Sequence, residues 1–182
     1  TLLGMGMPTP SAYILAAALT APMVVNLGVS VMATHMFILY YAVMSAITPP
    51  VAVAAFAAAP LANDNPLYIA ALACKFSLAA FVVPFVFVYS PSLLLEGPWY
   101  DTLITMTTAV IGLIMLSAAI ESFLFRPLLT WQRIGLAAGG LLLVIPSIEL
   151  AVLGLAILAG FVGHWYLRGR HTALAGAPTG AE

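Results

Sequence analysis

Long, unbroken runs of apolar residues constrain the fold of this chain more than any other feature of its sequence. The run from Ile104 to Ile120 is interrupted only by small or weakly polar residues. Strands of membrane barrels alternate apolar and polar residues, so unbroken runs favour helices. Only 6% of the residues are charged, whereas soluble domains have ~25%. The sequence therefore predicts an all-α integral membrane protein, a polytopic helical bundle whose solvent is the lipid bilayer.

Composition and motif content exclude or disfavour several functions. The net charge is −1 and there is no basic stripe, so the chain is not expected to bind nucleic acid. Cys74 is the single cysteine, which rules out a disulfide framework within the chain and predicts a small packed side chain. The spacings typical of zinc proteases, serine hydrolases and phosphate-binding loops are absent. The absence of these motifs argues against an enzyme without excluding one.

Two segments rich in Gly and Pro interrupt the apolar runs, at Gly4–Ser11 and Ser45–Pro50. Irregular backbone inside a membrane is tolerated only where it is buried in protein or lines a watery cavity. Its freed carbonyl oxygens are good ligands for a hard cation, and the adjoining helix amino termini favour an anion. From the residues alone, an ion or substrate site and a pair of ordinary proline kinks remain equally open. The candidate ion- and substrate-binding residues are Gly4, Gly6, Pro8, Thr9, Ser11, Ser45, Thr48, Pro49 and Pro50, with Thr9 and Thr48 as candidate sodium ligands.

The distribution of arginines predicts an orientation in the membrane. Arg126 and Arg133 come before a hairpin predicted to turn near Pro146, and Arg168 comes after it. Both groups then lie on one side of the bilayer, which the positive-inside rule assigns to the cytoplasm. The loop Ser90–Tyr100 is expected on the outer side.

Five further charged or polar residues lie within or at the ends of the apolar runs. Asp101, Glu121 and Glu149 stand at the ends of predicted spans, which indicates positions at the membrane interface. Lys75 lies inside a predicted span, Leu67 to Tyr89, where it either snorkels to the interface or pairs with a carboxylate outside this chain. His35 lies between the two Pro-rich segments, with a hydrogen-bonding role in the bundle favoured over a contact to substrate.

Several short motifs resemble the second half of the large membrane subunit of tripartite ATP-independent periplasmic (TRAP) transporters. The resemblance is closest to the fused permeases that work with TAXI-type binding proteins, and it covers about residues 1–95. One departure is Ala52, which stands where family members often have Gly. The motifs are Gly4-Met5-Gly6-Met7-Pro8-Thr9, Ser11-Ala12-Tyr13, Ala21-Pro22, Leu27-Gly28, His35-Met36-Phe37 and Ile47-Thr48-Pro49-Pro50-Val51-Ala52.

This resemblance implies a specific fold and function. Members carry inverted repeats, each with a re-entrant hairpin and a broken helix, so this chain would be the second half of an inverted-repeat transporter. It would lie in the bacterial inner membrane as a multi-pass protein and import organic anions (carboxylates), delivered by a periplasmic TAXI-type binding protein. Sodium would be the coupling ion, with no other cofactor. By motif, one discontinuous segment matches Gly4, Gly6, Pro8 and Thr9, and the other matches Thr48, Pro49 and Pro50.

The domain organisation predicted from these observations has three parts. Residues 1–95 form the transport region with broken helices, residues 96–167 add further transmembrane helices, and residues 168–182 form a disordered tail. The chain is expected to be a carboxy-terminal fragment that needs the remaining amino-terminal part of the permease to transport. The alternatives are a membrane scaffold or assembly subunit with continuous, kinked helices, and an intramembrane enzyme with a paired nucleophile and base.

Overall fold

A computed structural model describes residues 6–124, 126–145 and 147–175, which are almost entirely helical. Its strands are limited to a two-residue antiparallel pairing, β1 with β2, between α6 and α7. In chain order the elements are α1 (Thr9–Asn26), α2 (Val31–Met44), α3 (Val53–Ala62), α4 (Pro66–Phe76), a 3₁₀ turn (Ala80–Val82), α5 (Val83–Tyr89), a second 3₁₀ turn (Pro91–Leu94), α6 (Trp99–Glu121), β1 (Phe123–Leu124), β2 (Arg126–Pro127), α7 (Thr130–Val144) and α8 (Ile148–Ala175).

Helices α1 and α2 form a hairpin whose turn agrees with the sequence. Gly28 follows the end of α1 and has φ +92°, a left-handed conformation that glycine adopts without steric penalty. Ser30 then caps α2, because its hydroxyl accepts a hydrogen bond from the Ala33 amide at 3.2 Å. The start of α1 differs from the prediction. The helix begins at Thr9, inside the segment Gly4–Ser11 that was expected to be irregular, because proline is well tolerated in the first turn of a helix.

An aromatic cluster packs α2 against α5 in antiparallel register. The Tyr41 hydroxyl donates to the Phe81 carbonyl at 2.7 Å. One turn earlier in α2, Phe37 meets Phe85 edge to face, with ring centroids 5.4 Å apart. Edge-to-face pairs of this kind contribute about 0.5–1.5 kcal/mol beyond their buried area. The contact anchors α2 just before the second Pro-rich segment.

The predicted single span from Leu67 to Tyr89 is broken in the structure. Helix α4 ends at Phe76, and the segment Ala80–Tyr89 continues at an angle of 62°. Pro84 lies in the first turn of α5, where its missing N–H and its ring prevent a helix from running straight through. Lys75 therefore lies in the last turn of α4, next to a bend, rather than within a continuous span.

Short helices α3 and α4 pack as a hairpin at the end of the second Pro-rich segment. α3 has 10 residues and is about 15 Å long, half the thickness of a bilayer core. In the turn that follows it, Asn63 is left-handed at φ +52°, and the Asn65 side chain accepts from the Leu67 amide at 2.9 Å. The buried residues of this hairpin are Ala52, Ala55 and Ala70.

Helices α6, α7 and α8 form a separate three-helix unit with its own apolar core. The buried centre comprises Met115, Ala119, Leu136 and Leu143. Glycines bring the backbones together: a Cβ on Gly140 would lie 2.7 Å from the Gly112 carbonyl oxygen. Small residues at such crossings are the usual means of packing helices in membranes.

By length and composition, α6 is the one described helix that could cross a membrane alone, and the bent pair α4–α5 could form a second span. Many apolar side chains of other helices face outward as well, among them Ile14, Met23, Val31 and Leu61.

The loops at the two ends of α6 lie where the predicted hairpin near Pro146 would place them. The segment before α6 and the turn between α7 and α8 line one cavity, so both lie at the same end of α6. At the opposite end, the Arg133 Nε donates to the Ala119 carbonyl at 3.2 Å. Which of the two ends faces the cytoplasm stays a prediction. Helix α8 continues to Ala175, and so extends into the segment predicted to be a disordered tail.

Candidate ion and substrate site

The second Pro-rich segment is unwound in the structure, as predicted. α2 ends at Met44 and α3 begins at Val53, so eight residues separate the two helices. The Thr48 amide donates to the Ser45 carbonyl at 3.3 Å, and the Ala54 amide donates to the Ala46 carbonyl at 3.0 Å. These bonds fold the segment back on itself into a compact turn between two helices.

Three carbonyls in this segment have no backbone donor among the described residues. They belong to Ile47, Pro49 and Pro50. A regular helix would pair each of these carbonyls with the amide four residues later, but that pattern is interrupted here, and the Ala54 amide donates to the Ala46 carbonyl rather than to that of Pro50. Carbonyl oxygens that are free in this way are suitable ligands for sodium.

The hydroxyls of the segment donate back to α2. Thr48 Oγ1 donates to the Met44 carbonyl at 2.7 Å, and Ser45 Oγ donates to the Ala42 carbonyl at 2.6 Å. Ser45 is buried, whereas Thr48 is half-buried. Because each hydroxyl proton is directed into the helix, the oxygen lone pairs point away from that bond. A cation approaching Thr48 would therefore meet an acceptor rather than a proton.

The first Pro-rich segment lies close to Val51, the residue that follows the second segment. Gly6 has φ +77°, and a Cβ at this position would lie 3.6 Å from Val51 Cγ1. Gly4 lies outside the described residues. Thr9 and Ser11 were predicted to belong to an unwound stretch, but both lie in the first turn of α1, because Pro8 and Pro10 are compatible with a helix start. The described unwound backbone is limited to the residues before Thr9.

Ala52, the one departure from the family motif, has the backbone conformation that glycine favours. It has φ +36° and ψ +52°, a left-handed conformation, and its side chain is 0% exposed. Glycine adopts this conformation without strain, whereas an L-residue incurs a steric cost. The backbone geometry expected for glycine is therefore present here with alanine.

His35 has a structural partner. Its Nδ1 atom lies 2.8 Å from the Tyr13 hydroxyl, which joins α2 to α1. This agrees with the hydrogen-bonding role that was favoured for it. The neighbouring Thr34 is 0% exposed and its Oγ1 has no partner within the described chain. Tyr13 belongs to a family motif but had no predicted interaction, and nothing in the sequence pattern singled out Thr34, since both lie on helices without a periodic polar face.

Lys75 pairs with Glu121 of the same chain. The Nζ–Oε2 distance is 3.1 Å, so the carboxylate partner is not supplied from outside the chain. The pair connects α4 to the end of α6. Sequence separation concealed it, because the two positions are 46 residues apart in the chain. Both interpretations of Lys75 from the sequence omitted this partner.

We expect the Lys75→Met and Glu121→Gln variants to be non-additive. Each single variant leaves one charge without its partner, so the double variant should be more stable than the sum of the two losses predicts. The side chains are 48% and 32% exposed, which limits the coupling to about 1 kcal/mol. Thermal unfolding of the purified single and double variants measures it. Strictly additive losses would show that the pair contributes nothing.

Among the described residues, no group of three or more His, Cys, Asp or Glu side chains forms a metal site. The candidate site thus consists of carbonyl and hydroxyl oxygens on the interrupted backbone between α2 and α3, where Ser45 is buried, Thr48 is half-buried and Pro50 is exposed. Such an arrangement is typical of helical membrane proteins that bind small solutes between discontinuous helices.

The family model of the tripartite ATP-independent periplasmic transporter, DctM component, matches residues 1–97. The chain belongs to this family and is a membrane permease of the TRAP type, a transport component rather than an enzyme. Membership implies an inner-membrane location and partnership with a substrate-binding protein and a small permease. The match ends before α6, so the three-helix unit lies beyond it. No curated protein and no solved structure matches the chain.

Proposed function

We propose that this protein couples the uptake of organic carboxylates to sodium entry, with a TAXI-type binding protein delivering the substrate. The observation that carries this proposal is how close the first Pro-rich segment lies to the end of the second, since a Cβ at Gly6 would lie 3.6 Å from Val51 Cγ1. It supports a common site, in which sodium binds the freed carbonyls and the Thr48 hydroxyl. The anionic substrate then lies near the amino termini of α1 and α3, where the helix dipoles are positive.

The multi-pass arrangement is part of this proposal. In it, the bent pair α4–α5 and the short helix α3 are the re-entrant and broken elements of the second repeat. Binding of sodium and substrate together favours closure of the mobile part, and so produces alternating access. A scaffold without an ion site would have kinked, continuous helices at both breaks. The eight-residue interruption after Met44 argues against this alternative.

The test uses the whole permease with its binding protein, reconstituted in liposomes. We expect Thr48→Ala to lower sodium-dependent uptake by roughly tenfold or more, the range seen when ligand-shell groups are lost. Thr9→Ala should lower it too, whereas Thr48→Ser, which keeps the hydroxyl, should retain most of the uptake. Transport is measured as initial rate against sodium concentration, with a sodium-free buffer as baseline.

Thr107→Ala is the matched control. Thr107 donates to the carbonyl four residues earlier at 2.7 Å, as Thr48 does, but it lies exposed on α6. The control should leave uptake unchanged. If Thr48→Ala and Thr9→Ala behave like Thr107→Ala, the proposed sodium site is wrong.

A further inference from the structure

A cavity of about 400 Å³ lies where the end of α6 meets the start of α7. None of the described residues of the two Pro-rich segments lines it, so it is separate from the candidate sodium site. Arg133 is the one charged residue in its described lining, and Thr130 adds a hydroxyl, whereas the rest of the wall is apolar. The lining residues are Ala119, Ile120, Thr130, Arg133, Ile134 and Ala137.

The guanidinium of Arg133 is held in place but is mostly unpaired. Its Nε donates to the Ala119 carbonyl at 3.2 Å, which fixes the group against the end of α6. Its two terminal nitrogens form no hydrogen bond or ion pair with any described residue. Glu121, the acid nearest in the chain, pairs with Lys75 at 3.1 Å instead. A guanidinium carries its donors in a planar fork that binds two oxygens of a phosphate side by side, so Arg133 is ready to bind an anion.

The cavity lies at the depth expected for lipid headgroups. α6 is the described helix that can cross a membrane alone, so its end beside the cavity lies near a membrane–water interface. Trp131, which is 55% exposed, is of a residue type enriched at that interface. Because α7 starts here and runs back along α6, Ala137 lies one turn deeper in the membrane than Arg133. The cavity therefore suits a ligand that is anionic at its outer end and apolar further in.

The charges at the two ends of α6 also favour an anion at this cavity. Lys75, Arg126 and Arg133 lie in the elements at this end, with Glu121 as the single acid there among the described residues. Since Lys75 and Glu121 neutralise each other, the balance is positive, and positive charge at a membrane surface attracts anionic lipids. The described residues at the opposite end include acids and no base, namely Glu96, Asp101 and Glu149.

We propose that this cavity binds an anionic phospholipid. Its phosphate accepts hydrogen bonds from the terminal nitrogens of Arg133 and from the Thr130 hydroxyl. One acyl chain lies along Ile120, Ile134 and Ala137. A free anion would use Arg133 but leave the apolar wall uncovered, whereas a phospholipid covers both parts. The bound lipid ties α6 to α7 beside their short connection, and the proposal does not depend on the sodium site.

The experiment measures the thermal unfolding midpoint of the purified full permease, delipidated in mild detergent, as phosphatidylglycerol is added. We expect the midpoint to rise by roughly 2–4 °C, because the lipid binds the folded state only. Phosphatidylcholine, whose headgroup is zwitterionic, should raise it less, and inorganic phosphate should not raise it. The amount of phosphatidylglycerol retained through purification, measured by mass spectrometry, is a second readout that does not depend on unfolding.

Three variants and a control test the assignment of the two walls. Arg133→Gln should abolish the midpoint rise and the lipid retention, whereas Arg133→Lys, which keeps the charge without the planar fork, should keep part of both. Ala137→Phe should weaken lipid binding from the apolar side while the Arg133 guanidinium stays in place. The control is the double variant Lys75→Met with Glu121→Gln, which removes a nearby ion pair at constant net charge and should respond like the wild type.

The proposal is overturned if phosphatidylglycerol leaves the wild-type midpoint unchanged, or if phosphatidylcholine or inorganic phosphate acts as strongly. It is also overturned if Arg133→Gln and Ala137→Phe both retain the lipid as the wild type does. Thr48→Ala, which tests the sodium site, should respond to phosphatidylglycerol like the wild type, so the two proposals fail separately.

Discussion

Replacement of Gly140 by alanine is expected to destabilise the three-helix unit strongly. The new Cβ would lie 2.7 Å from the Gly112 carbonyl oxygen and 3.0 Å from the Leu116 amide nitrogen. Both are backbone atoms of α6, so no side-chain rotation relieves the clash and the two helices must separate. Overpacking of this kind costs about 1–3 kcal/mol, and separation also loosens the core around Met115 and Leu143.

Gly135→Ala is the matched control on the same helix. A Cβ at Gly135 meets nothing within 4 Å, and alanine has the better helix propensity by about 1 kcal/mol. Gly135→Ala should therefore be neutral or slightly stabilising. The measurement is thermal unfolding of the purified permease in mild detergent, with the amount of folded protein followed after heating. Equal stability of the two variants would mean that α6 and α7 do not approach closely at Gly140.

The second large effect on stability is expected at Ala52, where the replacement residue decides whether the protein becomes more or less stable. Ala52→Gly should stabilise the segment or leave its stability unchanged. Glycine relieves the strain of the left-handed conformation, which costs about 1–2 kcal/mol. Its greater backbone entropy in the unfolded chain offsets part of this gain. Ala52→Val should be strongly destabilising. A β-branched residue is poorly tolerated at positive φ, and the fully buried site has no room for two further methyl groups.

The Ala52 variants are compared in two measurements on the whole permease. Thermal unfolding reports the strain, and sodium-dependent uptake reports whether the turn after Pro50 keeps its shape. Val53→Ala is a control, since Val53 is 53% exposed at the start of α3. If Ala52→Val is as stable as the wild type and Ala52→Gly is less stable, the left-handed assignment is wrong.

The positions of the breaks were predictable because they depend on local chemistry. Pro49 and Pro50 remove amide donors, and Gly28 permits a positive φ, whatever surrounds them. The bend between α4 and α5 was missed although Pro84 signals it, since the apolar run through it has the length of a span. At the start of α1 the error was to give proline too much weight. Prolines break the interior of a helix but are compatible with its first turn.

The candidate site was only partly predictable. The sequence identified Thr48, Pro49 and Pro50 by their residue types, and these do lie on unwound backbone. The same reasoning placed Thr9 and Ser11 in unwound backbone, which was wrong. The contact between Gly6 and Val51 depends on how α1 packs against the segment after α2, and local patterns carry no information about such packing.

The amino-acid sequence by itself determined that this is a helical membrane protein with two Pro-rich interruptions. Both features depend on local properties: the solvent that the side chains require, and the backbone angles that Gly and Pro permit. The tertiary structure alone decided that Gly6 lies next to Val51, that Lys75 meets Glu121, and that Gly112 faces Gly140. Each of these contacts joins segments far apart in the chain, and their approach is set by the packing of whole helices rather than by any residue's own preference.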